Sequence, residues 1–179
     1  MPAGRILDAA GELFAARGIA SVGMLDIARA AGCSRATLYR YFENRDALHT
    51  AYVHREARVM GTQLAGVIAD IDDPRERLLA GVMHALRLVR DSPALSAWFA
   101  TSAGADAADK SEVVRAMTAA FLESLDPGDA AAVDRRARWL VRILTSLLLS
   151  PGRDADDERA MLAEFVVPLV VPGRLRSGA

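Results

Sequence analysis

One cysteine, Cys33, and one lysine, Lys110, stand among 179 residues. A lone thiol cannot close an internal disulfide, and with three scattered histidines it makes a poor zinc site, so neither scaffold is expected. His49 and His54 sit five apart, which on a helix places them about 140° around the axis from each other. No metal and no cofactor are therefore expected. No run approaches eighteen apolar residues, which excludes an ordinary membrane-spanning helix. The segment Met1–Ala10 has no basic start followed by an apolar stretch, so no secretory signal is visible and a cytoplasmic protein is expected. No nucleophile–base pair stands out, and no enzyme is expected.

What is present is helix-forming. Alanine occurs 35 times, and arginine outnumbers lysine 21 to 1. Alanine, leucine and arginine all favour helices, and runs of β-branched residues are scarce, which predicts an all-α chain. With 52% apolar residues, there is enough hydrophobic surface for a buried core. The formal net charge of −1 is unevenly placed: residues 1–55 carry seven arginines against five acids, and the remainder carries fifteen bases against eighteen acids. That asymmetry is too mild to name a partner by itself.

Helical spacing of Ile6, Leu7, Ala10, Leu13 and Phe14 predicts a first helix stopped at Gly18. Short helices follow at about Met24–Ala31 and Ser34–Tyr41. Asn44 caps a long fourth helix reaching about Ile71. Asp73 and Pro74 open a helix of about Arg75–Arg90, and Ser92-Pro93 restarts the chain into Leu95–Thr101. Gly104–Asp109 reads as a loose loop. Helices at about Ser111–Leu125, Asp129–Leu149 and Asp156–Val171 complete the chain, with Pro172–Ala179 as a frayed tail.

The informative stretch is Leu25–Phe42, LDIARAAGCSRATLYRYF. Small Ala28 and Ala31 let two short helices approach at a steep angle, and Gly32 accepts a positive φ at the turn between them. Ile27, Cys33 and Leu38 can close a miniature core with Phe14 and Ile6, and the Ser34 hydroxyl can cap the third helix. With Leu38 inward, Arg35, Ala36, Tyr39 and Arg40 lie on the opposite face. Arginines, a tyrosine and a threonine at a helix start suit a DNA groove, where guanidinium groups read guanine edges and hydroxyls grip phosphate. Phe42 reads as a hydrophobic plug and Cys33 as a small core residue.

Residues 5–53 resemble the N-terminal domain of the TetR family of bacterial transcriptional regulators. The likeness runs through Ile6–Ala10, Leu13-Phe14, Gly18, Asp26–Ala28, Ala30–Gly32 and Ser34–Phe42, with Arg45 and Leu48. It implies a three-helix helix-turn-helix domain over residues 1–46 and a helical effector-binding and dimerisation domain over residues 47–179. It also implies DNA contact by Ser34, Arg35, Ala36, Thr37, Tyr39, Arg40, Tyr41 and Arg45, the last two on phosphate. The partners would be double-stranded DNA, a second copy and a small effector, with no membrane. Two departures stand out: Val22-Gly23-Met24-Leu25 lacks the threonines and basic residue common at the start of the second helix, and only four residues precede Arg5. Both imply weaker or more salt-sensitive DNA binding than the family's usual.

The helices around residues 139–148 and 161–170 are more apolar than a monomer's surface requires. The resemblance makes Trp139, Ile143, Leu147, Met161, Phe165 and Leu169 candidates for a two-fold dimer interface. It places an effector pocket among the middle helices, with Met60, Leu64, Met83, Leu86, Trp98, Phe99, Met117 and Phe121 as candidate lining. Few polar groups sit among them, so a hydrophobic or amphipathic small molecule is expected. Arg135, Arg136, Arg138 and Arg142 read as a solvated face paired with the acids Asp154, Asp156, Asp157 and Glu158. The function expected is that of a ligand-responsive repressor binding a palindromic operator as a dimer. The alternative is a helical partner-binding or architectural protein without specific DNA binding.

Overall fold

The computed structural model describes residues 2–99 and 102–171, and no strand occurs among them. The helices are α1 (Pro2–Arg17), α2 (Met24–Ala30), α3 (Arg35–Tyr41), α4 (Arg45–Ile68), α5 (Pro74–Asp91) and α6 (Pro93–Phe99). They continue as α7 (Ser102–Lys110), α8 (Glu112–Leu125), α9 (Ala130–Leu149), α10 (Ala155–Met161) and α11 (Val167–Val170). A short 3-10 turn, Ile19–Ser21, follows α1, and a π-helical turn, Leu162–Val166, joins α10 to α11.

Local chemistry sets most boundaries. Asn44 caps α4 by accepting the Ala47 amide at 2.8 Å, and Asp73 caps α5 by accepting the Arg75 and Glu76 amides. Ser111, Asp129 and Asp154 cap α8, α9 and α10 in the same way. The fourth helix ends at Ile68, three residues short of the expected Ile71. The final helix is interrupted rather than regular. Pro168 has no amide to give the Glu164 carbonyl, and the wide turn at Leu162–Val166 accommodates that loss.

The segment Gly104–Asp109, expected as a loop, lies within α7. Ala103, Ala105, Ala107 and Ala108 supply helix propensity that outweighs the cost of about 1 kcal/mol for one glycine. Ala108 is buried, and Asp109 is held by Arg142 of α9 at 3.1 Å. The expected tail, Pro172–Ala179, lies outside the described residues.

Two hydrophobic clusters organise the packing. The first joins Ile6, Phe14, Ile27 and Leu38 of α1–α3 to Leu48, Tyr52 and Val53 of α4, and continues to Leu95, Trp98 and Phe99 of α6. Phe14 anchors it, with its ring edge-on to His49 at 5.0 Å and to Tyr52 at 5.5 Å. The second cluster joins α5, α8, α9 and the last helix through Leu78, Leu86, Leu122, Leu140, Leu162 and Val170.

An ion pair with a buried carboxylate ties α5 to α10. Glu158 is 1% exposed and receives both Arg90 terminal nitrogens at 2.7 Å, together with the Gly152 amide at 2.9 Å. Arg90 also donates to the Leu147 carbonyl. The Arg90 hydrogen bonds hold the Glu158 carboxyl below the usual carboxylate range against the opposing effect of burial. A carboxylate with a depressed folded pKa stabilises the fold above its unfolded value. That stabilisation is full above about pH 5 and is lost as pH falls through the lowered folded value. Glu158→Ala is expected to cost about 3 kcal/mol in urea unfolding at pH 7, the low end for a broken buried pair because Arg90 keeps the Leu147 carbonyl. The deficit should shrink toward pH 3, and a deficit below about 1 kcal/mol at pH 7 would contradict this account.

Candidate DNA interface and effector cavity

The helices α2 and α3 meet at Gly32, whose φ of +64° places the chain in the left-handed region that favours glycine. Ser34 Oγ accepts the Thr37 amide at 3.1 Å and lies 2.9 Å from Thr37 Oγ1, so the two hydroxyls are tied to each other at the start of α3. Leu38 is fully buried, which turns Arg35, Ala36, Tyr39 and Arg40 to solvent. The Arg35 guanidinium lies 5.8 Å from the Tyr39 ring centroid and that of Arg40 lies 5.4 Å from the Tyr41 ring. Two cation–aromatic pairs thus present flat, positively charged surfaces on one short helix. Phe42 is buried as a plug, and Cys33 is half-buried in the turn.

Arg45 is placed differently from an outward phosphate ligand. It is half-buried and donates to the Ile19 carbonyl in the 3-10 turn, where it ties α4 back to the end of α1. At the start of α2 the Gly23 amide is received by the Asp26 carboxylate at 3.0 Å, and Leu25 is exposed. That helix start carries no hydroxyl toward solvent.

The middle helices α4 to α9 line an apolar cavity of about 960 Å³ that is open on one side. Of the candidate lining residues, Met60, Leu64, Leu86, Phe99, Met117 and Phe121 face it. Met83 and Trp98 do not. Met83 packs against the second cluster, and Trp98 belongs to the first, turned toward Phe14, Ile19 and Tyr52. Size and apolarity marked both as candidates, but neither property says which side of a helix faces the void. On α5, Arg77, Gly81, Ala85 and Leu88 share the face that lines it. A Cβ at Gly81 would stand 2.8 Å from the Phe121 ring, too close without displacement.

Arg77 and Arg58 are the only charged residues among the described lining, and the sequence reading missed both. The signal for Arg77 lay in the i, i+4, i+8 register of α5, where it precedes two small residues on one stripe. His54 sits near the cavity on α4 and bonds Ser111 Oγ at 2.9 Å, joining α4 to the cap of α8. Burial and Arg58 push its pKa down. No cluster suited to a metal ion occurs among the described residues.

The six interface candidates are all solvent-facing to some degree. Trp139, Met161, Phe165 and Leu169 are exposed, and Ile143 and Leu147 are half-buried. Phe165 and Leu169 expose 58% and 64% of their surface, unusually much for large apolar side chains. Three of the four nearby arginines are paired, but not with the acids of the last helix, and Arg135 is exposed. Arg136 binds Asp126, Arg138 binds Asp134 and Arg142 binds Asp109, while Asp157 is held by Arg153 and Glu158 by Arg90.

No described helix is long and apolar enough to cross a membrane. The pattern defining bacterial regulatory proteins of the tetR family matches residues 6–52. An HTH-type transcriptional regulator of Mycobacterium tuberculosis, Rv1255c, is 60% identical over 175 residues, spanning 96% of this chain and 87% of its own. The TetR-family repressor AlkX from a Dietzia strain, implicated in biodegradation of n-alkanes, shares the fold with a TM-score of 0.70 at 24% identity, covering 95% of both chains. The TetR-family repressor FadR of Thermus thermophilus, in complex with lauroyl-CoA, superposes with a TM-score of 0.70 at 23% identity, covering 99% of this chain and 97% of its own. With the 60% identical regulator spanning nearly the whole chain and the helix-turn-helix in place at its start, the chain belongs to the TetR family of DNA-binding transcriptional regulators.

Proposed function

We propose that this regulator is a homodimeric repressor that reads a palindromic operator and lets go when a small hydrophobic or amphipathic effector fills the cavity. Residues 1–46 form the DNA-reading unit and residues 47–179 the effector-binding and dimerisation unit. Arg35, Ala36, Tyr39 and Arg40 face the major groove, with Ser34, Thr37 and Tyr41 at its edge. Arg45 reaches phosphate only by sharing or releasing the Ile19 carbonyl. Two such units, held by a pairing of α9 and the last helix with their copies, address successive major grooves.

One observation carries the coupling. Val53, Val89, Leu95 and Phe99 line the cavity and also belong to the cluster that holds α1–α3. An occupant that displaces these side chains shifts the base on which the DNA-reading helices rest. Packed cores resist gradual deformation, so such a shift favours a second arrangement of the two units. A fold relative that holds lauroyl-CoA supports an occupant with an apolar tail.

A screen of apolar and amphipathic compounds, scored by thermal shift and by release of a bound labelled duplex, tests the coupling. Compounds that stabilise the chain are expected to weaken its DNA affinity by about 5- to 150-fold, the usual span of allosteric coupling. Stabilising compounds that leave DNA affinity unchanged would contradict the proposal.

A further inference from the structure

The cavity's polar groups are nearly all spent. Thr62, Thr118, Ser124 and Thr145 line it, and each hydroxyl donates to a carbonyl of its own helix: Arg58, Val114, Phe121 and Arg142 respectively. No carboxylate occurs among the described lining residues. Arg58 is exposed and donates to the His54 carbonyl. Arg77 is different. It lines the cavity half-buried, its Nε is shut away from solvent without a hydrogen-bond partner, and it has no ion pair among the described residues. The Arg77 Nε lacks the acceptor that a buried donor ordinarily finds, and no carboxylate pairs the charge of its guanidinium.

We propose that the effector is a single-chain amphiphile with an anionic head, and that Arg77 is the residue that receives the head. This rests on the reading of the cavity as the effector site. Arg77 lies in the first turn of α5, and Val89, which lines the same cavity, lies twelve residues further along. That interval is about 18 Å of helix. A head at Arg77 therefore sends an apolar tail along α5 toward Val89, Leu95 and Phe99, the side chains shared with the DNA-reading core. Ala85 keeps the path open on the way, and Phe121, packed over Gly81, walls it. A cationic head would meet two arginines and no acid. A neutral head would leave the Arg77 Nε unpaired by charge.

Titration calorimetry on the full chain decides the matter, using straight-chain carboxylates of increasing length and the primary alcohols of matching length. Each added methylene is expected to tighten binding by about fourfold until the cavity is filled. The wild type should prefer a carboxylate to its alcohol by about 10- to 100-fold, the worth of a charge-assisted hydrogen bond. Arg77→Met should erase that preference while binding the alcohol as the wild type does, which also shows that the variant is folded. Arg77→Lys should keep part of the preference, and Arg58→Met should keep it whole. Equal affinity for carboxylate and alcohol in the wild type would overturn the anionic head and leave the apolar site standing. A preference that survives Arg77→Met, or disappears in Arg58→Met, would overturn the role of Arg77. Binding of neither series at any length would overturn the effector site together with this inference.

Discussion

Tyr39→Ala is expected to weaken operator binding by roughly 30-fold to 20,000-fold while leaving the fold intact. A lost base or groove contact costs about 1–3 kcal/mol, and a two-fold dimer loses it twice. The ring is exposed, and its main neighbour is the Arg35 guanidinium at 5.8 Å, so its removal also frees Arg35 from a position suited to the groove. Leu38 beside it carries the core contact instead. The variant's urea unfolding should therefore stay within about 0.5 kcal/mol of the wild type, as expected for an exposed position. Fluorescence anisotropy on a labelled operator duplex reads the affinity. Unchanged affinity would remove α3 from the groove.

The paired substitution Phe165→Glu and Leu169→Glu is expected to convert the dimer to monomer, read by light scattering behind gel filtration. These two side chains lie one helical turn apart on the last helix and bury little within a single chain. Two new charges there cost the monomer little, but in a two-fold pairing they meet their own copies in a desolvated setting. Operator affinity should fall by about 100- to 10,000-fold, because two half-sites bound together act through effective concentration that separate halves lack. A variant that remains dimeric would move the interface away from this face.

The helix-turn-helix was legible because its determinants are local. The acceptor that caps α3 is Ser34, three residues from the Thr37 amide, and the turn needs a positive φ where Gly32 stands. The caps at Asn44 and Asp73 read equally well for the same reason. Where the partner is distant in sequence, residue type alone was insufficient. Arg45 finds the Ile19 carbonyl 26 residues away, and Arg142 finds Asp109 33 residues away. A basic residue signals charge to be satisfied without saying by what. The cavity shows the same limit: Met60 and Met117 face it and Met83 does not, because α5 turns its Arg77, Gly81 and Ala85 side to the cavity and Met83 lies on the other. In α7, four alanines and the packing of Ala108 outweighed the glycine and aspartates that suggest a loop.

Selection of bound duplexes from a randomised DNA pool, with the full-length wild type at low salt, tests the central claim most directly. The account predicts enrichment of an inverted repeat whose half-sites lie one helical turn or more apart, matching two copies of α3 on a two-fold dimer. A folded dimer that enriches no sequence would contradict it.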